Sequence, residues 1–92
     1  MVYSLVYTDQ AEKDLARLDR SLAVRILKKV DSFVKLSNPF VKAKSLRGFE
    51  MPTYRFRVGD YRVVFRKDEK NNCLVVLIVL RVAHRKEVYK KL

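Results

Sequence analysis

The chain has 92 residues, 21 of them Lys or Arg and 10 Asp or Glu, for a net charge of +11 at pH 7 and a pI near 10.1. That length supports one domain with one small core, and 49% hydrophobic residues are too many for a disordered basic tail. The longest apolar run, Cys73 to Leu80, is far short of the roughly 20 residues that span a bilayer, and Met1-Val2-Tyr3-Ser4 lacks the basic start and apolar stretch of a secretion signal.

Val2 to Tyr7 is rich in β-branched and aromatic residues and bounded by Thr8-Asp9, which predicts a short strand. Asp9 with Glu12 three residues on forms a candidate capping box for a helix, and Ala11, Leu15, Leu18 and Leu22 supply its apolar stripe. Ser21 is the expected cap of a second helix with an apolar face of Ala23, Ile26, Leu27, Val30, Phe33 and Val34, ending before Ser37-Asn38-Pro39. Almost no linker separates them, so an antiparallel helical hairpin follows. Residues 40–52 are expected to be irregular.

Thr53 to Arg66 then holds two alternating runs separated by Gly59-Asp60, a strong hairpin signal. With those two residues as the loop, Arg57 faces Arg62 and Phe56 faces Val63. Tyr54, Phe56, Val58, Tyr61, Val63 and Phe65 then share a core face, and Arg55, Arg57, Arg62 and Arg66 share the other. After a polar turn at Asp68–Asn72, Leu74 to Val82 is a near-continuous apolar strand. The fold class expected is α+β, in the order β-α-α-β-β-β, with the helical hairpin on one face of a small, mainly antiparallel sheet and residues 1–92 as one domain. A single cysteine cannot make an internal disulfide, and Cys73 is expected as a small core residue. A reducing, cytoplasmic setting is expected.

The charge is uneven. Residues 1–41 carry a net +2 and residues 42–92 a net +9, which points to a basic face for a polyanion, nucleic acid first. Arg57 opposite Arg62 is a like-charge pair costing from a few tenths up to ~1 kcal/mol, so folding alone gives no reason for it. The planar fork of arginine suits bidentate grip on phosphate. Lys44, Arg47, Arg66, Lys86 and Lys90 are candidate RNA-binding residues beside this clamp.

The chain shows no metal-ligand spacing and no glycine-rich nucleotide loop, so no metal or other cofactor is expected. One histidine excludes a two-histidine hydrolysis of RNA. Cleavage in which the RNA 2′-hydroxyl attacks the neighbouring phosphate stays open. It needs in-line positioning, charge neutralisation and two proton transfers. Arginine is a poor base, which leaves Tyr89, His84 and Lys86 as proton carriers.

Lys44-Ser-Leu-Arg-Gly48, the Tyr54–Phe65 hairpin and the ending Arg81-Val-Ala-His-Arg-Lys-Glu-Val-Tyr89 together resemble the RelE/ParE toxin superfamily over nearly the whole chain. The resemblance implies a compact toxin encoded beside an antitoxin that wraps and neutralises it. RelE-type members cleave mRNA in the ribosomal A site by 2′-hydroxyl attack, leaving a cyclic phosphate. ParE-type relatives share the fold but poison DNA gyrase. The RelE pattern puts catalytic residues at Arg55, Arg57, Arg62, Arg85 and Tyr89. The best-known bacterial form has lysines where this chain has Arg55 and Arg57, and its segment between the late arginine and the tyrosine is longer. His84 is the alternative proton carrier, because some relatives use a late histidine. The expected function is thus a ribosome-dependent, metal-independent endoribonuclease with an antitoxin, ribosome and mRNA as partners and no membrane. The alternatives are a ParE-like gyrase inhibitor and a non-catalytic nucleic-acid-binding module.

Overall fold

The computed structural model describes residues 1–92. Val2–Tyr7 forms β1, and Thr8 turns the chain into α1 (Asp9–Ala16). Thr8 is the N-cap: its hydroxyl accepts from the Ala11 N–H at 3.2 Å and donates to the Leu80 carbonyl at 3.3 Å. The expected Asp9–Glu12 box is therefore displaced by one residue. Asp9 and Glu12 sit inside the first turn, where their charge favours the helix dipole instead. The second helix, α2 (Arg20–Val34), starts earlier than a Ser21 cap requires, behind Asp19, whose side chain makes no cap hydrogen bond. Leu18 accordingly lies between the helices and Leu22 within α2. Ile26, Val30 and Phe33 are buried along the inner side of α2, whereas Leu27 is 37% exposed.

A 3-10 turn at Pro39–Lys42 leads to β2 (Ala43–Leu46), which pairs antiparallel with β3 (Thr53–Val58). This edge strand corrects the expectation of an irregular 40–52 segment and makes the order β-α-α-β-β-β-β. Ala-Lys-Ser-Leu has little strand character of its own, and its ladder to β3 supplies what local preference does not. Gly59, at φ +58, turns β3 into β4 (Tyr61–Glu69) in the expected register, with Arg57 opposite Arg62 and Phe56 opposite Val63. A side chain at Gly59 would also meet Arg25 of α2, 3.1 Å from its Nη2. β5 (Leu74–His84) closes the sheet, running two residues past the expected end. The strand order is β1-β5-β4-β3-β2, with β1 parallel to β5 and every other pair antiparallel.

Both helices cover one sheet face. Ala11, Ile26, Val30 and Phe33 pack there on Phe56, Val63, Phe65, Leu77 and Val79. Phe56 and Phe65 stack with centroids 4.4 Å apart, an arrangement worth about 0.5–1.5 kcal/mol beyond burial. Cys73 is exposed, contrary to expectation. It belongs to the turn before β5, where the Asn71 carboxamide oxygen accepts from the N–H groups of Cys73 and Leu74. No helix is long and apolar enough to cross a membrane.

The other face is not purely cationic. Val64, Ala83 and Val88 form a second, smaller apolar cluster beneath Leu46, with Val64 and Val88 fully buried. Val88 belongs to a terminal 3-10 turn, Val88–Lys90, that folds back over the sheet. The tail that carries Tyr89 is thereby attached to the face that carries the arginines.

Candidate functional site

Strand pairing sets most of the site. Directly opposite residues share a face, so Lys44 with Arg55 and Arg57 with Arg62 all stand on the face away from the helices. Arg66 lies on the same face, opposite Thr53 and Ile78, with its Nε buried and unpaired. Arg62 is steadied by its own turn, donating from Nη1 to the Gly59 carbonyl at 3.0 Å and to the Tyr61 carbonyl at 3.1 Å. Arg85 follows the last strand, and its backbone N–H donates to the Asp60 carbonyl at 2.7 Å. Its guanidinium Nε is 3.6 Å from the Asp60 carboxylate. Both side chains are more than half exposed, so that ion pair adds little and the backbone bond is the stronger tether.

The electrostatics show what the backbone has brought together. Burial, and then the nearby charges of Arg55 and Arg57, lower the pKa of Arg62; Arg85 acts in the same sense and the Tyr89 phenol opposes it. Arg62 therefore lies within electrostatic range of Arg55, Arg57, Arg85 and Tyr89. No ion pair neutralises Arg55, Arg57 or Arg62 within the chain. An anion arriving at this face relieves the repulsion that the fold maintains.

His84 is elsewhere. It pairs across the ladder with Tyr61, shares Tyr61's helix-side face, and meets its ring edge-on at 5.5 Å. Its Nδ1 accepts from the Lys86 N–H at 3.2 Å, so one ring nitrogen is committed to the turn. The geometry thus separates His84 from the arginines. Lys86, Lys90 and Arg47 are exposed, the first two in the tail and the third just beyond β2.

Two features escaped the sequence reading. The doublet Val63-Val64 breaks the hairpin's alternation and was the available signal that the open face has an apolar anchor. Asp14 joined to Arg81 left no signal, because the partners are 67 residues apart. The arginine face also lacks enclosure: three concavities indent the surface and none is lined by Arg55, Arg57, Arg62 or Arg85.

A helical hairpin on one side of a small sheet, with arginines and a tail tyrosine on the other, defines a RelE/ParE-type toxin. Residues 5–89 match the family described as the ParE toxin of the type II toxin–antitoxin system parDE, and the chain belongs to that family. Toxin RelG of Mycobacterium tuberculosis is 30% identical over 92 residues, spanning 99% of this chain and all of RelG. The toxin–antitoxin complex RelBE2 of the same organism contains a similar chain, with 29% identity, a TM-score of 0.72, and coverage of 92% of this chain and 100% of that one. A mutant of the E. coli toxin RelE in the free state shares the fold at a TM-score of 0.70 and 23% identity, over 98% of this chain and 93% of its own.

Proposed function

We propose that this type II toxin is a ribosome-dependent endoribonuclease that cuts mRNA in the A site without a metal. The observation that carries the reading is the unneutralised pair Arg57 and Arg62, with Arg85 and Tyr89 within electrostatic range of Arg62. The RNA 2′-hydroxyl loses its proton and attacks the adjacent phosphorus in line. The P–O5′ bond breaks, the leaving oxygen takes a proton, and the products are a 2′,3′-cyclic phosphate and a 5′-hydroxyl. Arg62 and Arg85 stabilise the dianionic phosphorane, and Arg55 and Arg57 hold the flanking phosphates. Tyr89 is the proton carrier that this charge acts on, with Lys86 in the same tail as the second. Lys44, Arg47, Arg66, Lys86 and Lys90 extend the phosphate track.

The flat, open face supports dependence on the ribosome, since no cavity of the toxin orients the substrate. The name of its relative toxin RelG agrees with a RelE-type toxin. A cognate antitoxin is the protein partner, by likeness to the RelBE2 complex. An acidic antitoxin segment that covers the arginines or displaces the tail fits the charge of this face. Action on ribosomes makes the site of action cytoplasmic.

The test is single-turnover cleavage on programmed ribosomes with analysis of the product ends. Cleavage with a cyclic phosphate, slowed about 10²–10³-fold in Arg62→Ala and Arg85→Ala, is expected. Wild-type rates in both variants, or a 3′-hydroxyl product, would overturn this mechanism, and a toxin that cuts no RNA would favour gyrase inhibition.

A further inference from the structure

The tail that carries Arg85 and Tyr89 is tied at both ends. At its start the Arg85 N–H is bonded to the Asp60 carbonyl, and in its middle Val88 is buried against Val64 and Ala83 of the sheet. At its far end the Lys91 carbonyl accepts from Arg81 Nη1 at 3.3 Å. Arg81 does not hold this position alone. Its Nε and Nη2 each donate to Asp14 of α1 at 3.0 Å, a two-pronged grip on one carboxylate. Asp14, 4% exposed, also accepts from the Val82 N–H at 2.9 Å and from Gln10 Nε2 at 3.1 Å.

This arrangement sits where the sheet is incomplete. β1 pairs with β5 only as far as Val79, so β5 beyond it has no strand neighbour on that side, and the Asp14 carboxylate takes up the Val82 N–H instead. Buried ion pairs are often no more stabilising than apolar residues of similar size. What an apolar pair cannot supply is a guanidinium locked by two nitrogens with its third turned towards the tail. A cleft of about 120 Å³, lined by Asp14, Leu18, Tyr61, His84, Glu87 and Lys91 among others, lies between α1 and the tail.

We infer that Asp14 is a positioning residue for the site: by clamping Arg81 it fixes the Lys91 carbonyl, and through it the tail turn that carries Tyr89. Asp14 touches no substrate and acts from the helix side. The consequence for rate rests on the nuclease reading; the tether itself does not.

Asp14→Asn removes the charge that grips Arg81 at nearly constant shape. Arg81→Lys keeps an ion pair with Asp14 but cannot reach both carboxylate and tail, and serves if Asp14→Asn folds poorly. Two readouts are needed. Amide hydrogen exchange should accelerate about tenfold or more at Lys90 and Lys91 in both variants, with the β3–β4 hairpin amides unchanged. On programmed ribosomes the single-turnover rate constant should fall about tenfold with the half-saturating ribosome concentration unchanged, and the loss should vanish in a Tyr89→Phe background. Wild-type exchange in the tail of both variants would overturn the tether. Losses that add to that of Tyr89→Phe would overturn the link to Tyr89. A wild-type toxin that cuts no RNA would overturn the nuclease reading instead, with the exchange data still deciding the tether.

Discussion

Arg57 and Arg62 stand directly opposite one another across the β3–β4 ladder, both on the face away from the helices, and neither has a carboxylate partner. Arg62 is turned towards backbone carbonyls of its own hairpin, which steadies its position but leaves its charge in place. The pair opposes folding and favours anions, so stability and activity should respond to it in opposite directions.

Arg57→Gln should therefore leave the protein as stable as the wild type or more stable, by a few tenths up to ~1 kcal/mol. Urea unfolding at low ionic strength checks this, and the gain should shrink as salt screens the repulsion. The same variant should bind RNA more weakly. A clear loss of stability would mean that Arg57 has a structural role that its exposed position does not reveal.

Replacing the only histidine separates two proton carriers. His84 faces Tyr61 on the helix side, away from the arginines. His84→Ala should slow cleavage by much less than the roughly 10²-fold that loss of a general acid or base produces, and Tyr89→Phe by about that factor if its hydroxyl moves a proton. The pH–rate profile of each variant completes the comparison. A profile that loses a limb only in His84→Ala would reverse the assignment.

The Asp14 carboxyl should shape acid unfolding. Burial by itself raises its pKa, but the hydrogen bonds from Arg81, the Val82 N–H and Gln10 outweigh burial and hold it below the ordinary 3.8. A carboxyl whose pKa is depressed by folding stabilises the protein above its unfolded value and loses that contribution as pH falls through the folded one. Asp14→Asn should flatten the fall of stability below about pH 4. Arg81→Met, which strands the buried charge, should cost about 3–5 kcal/mol at neutral pH. Urea midpoints between acid and neutral pH measure both.

Tyr7 offers the opposite case. Its hydroxyl is buried without a hydrogen-bond partner, and burial, followed by the charge of Asp31, pushes its pKa up to about 12. Tyr7→Phe removes an unsatisfied polar group, so stability should be unchanged or rise by up to about 1 kcal/mol. Between pH 10 and about 12 the unfolded tyrosine ionises and the folded one does not, so the wild type loses stability there. Tyr7→Phe should lose less over the same range.

The periodic elements were legible in the chain because their signals are local. Alternation around Gly59-Asp60 predicts the hairpin and puts Arg57 opposite Arg62, and the spacing of Ile26, Val30 and Phe33 identifies the buried side of α2. The start of α1 shifted by one residue, to a cap at Thr8 whose hydroxyl also bonds Leu80, 72 residues away. β2 was missed for the same kind of reason: Ala43–Leu46 is a strand only because β3 is beside it.

The candidate site divides in the same way. Arg55, Arg57 and Arg62 belong to one hairpin, so the period of two residues along a strand decides which way they face. Arg85, Tyr89 and His84 lie where that rule ends. Leu80 has no partner between Val64 opposite Arg81 and Phe65 opposite Val79, so the ladder slips there. Beyond the slip, His84 falls on the helix side, while Val88 draws the tail back over the arginines. The amino-acid order by itself determined a basic face, because charge and alternation are properties of neighbouring residues. Only the folded chain decided which groups complete it, because burial of Val88 and the bonds to Asp14 and Asp60 join residues that the sequence keeps far apart.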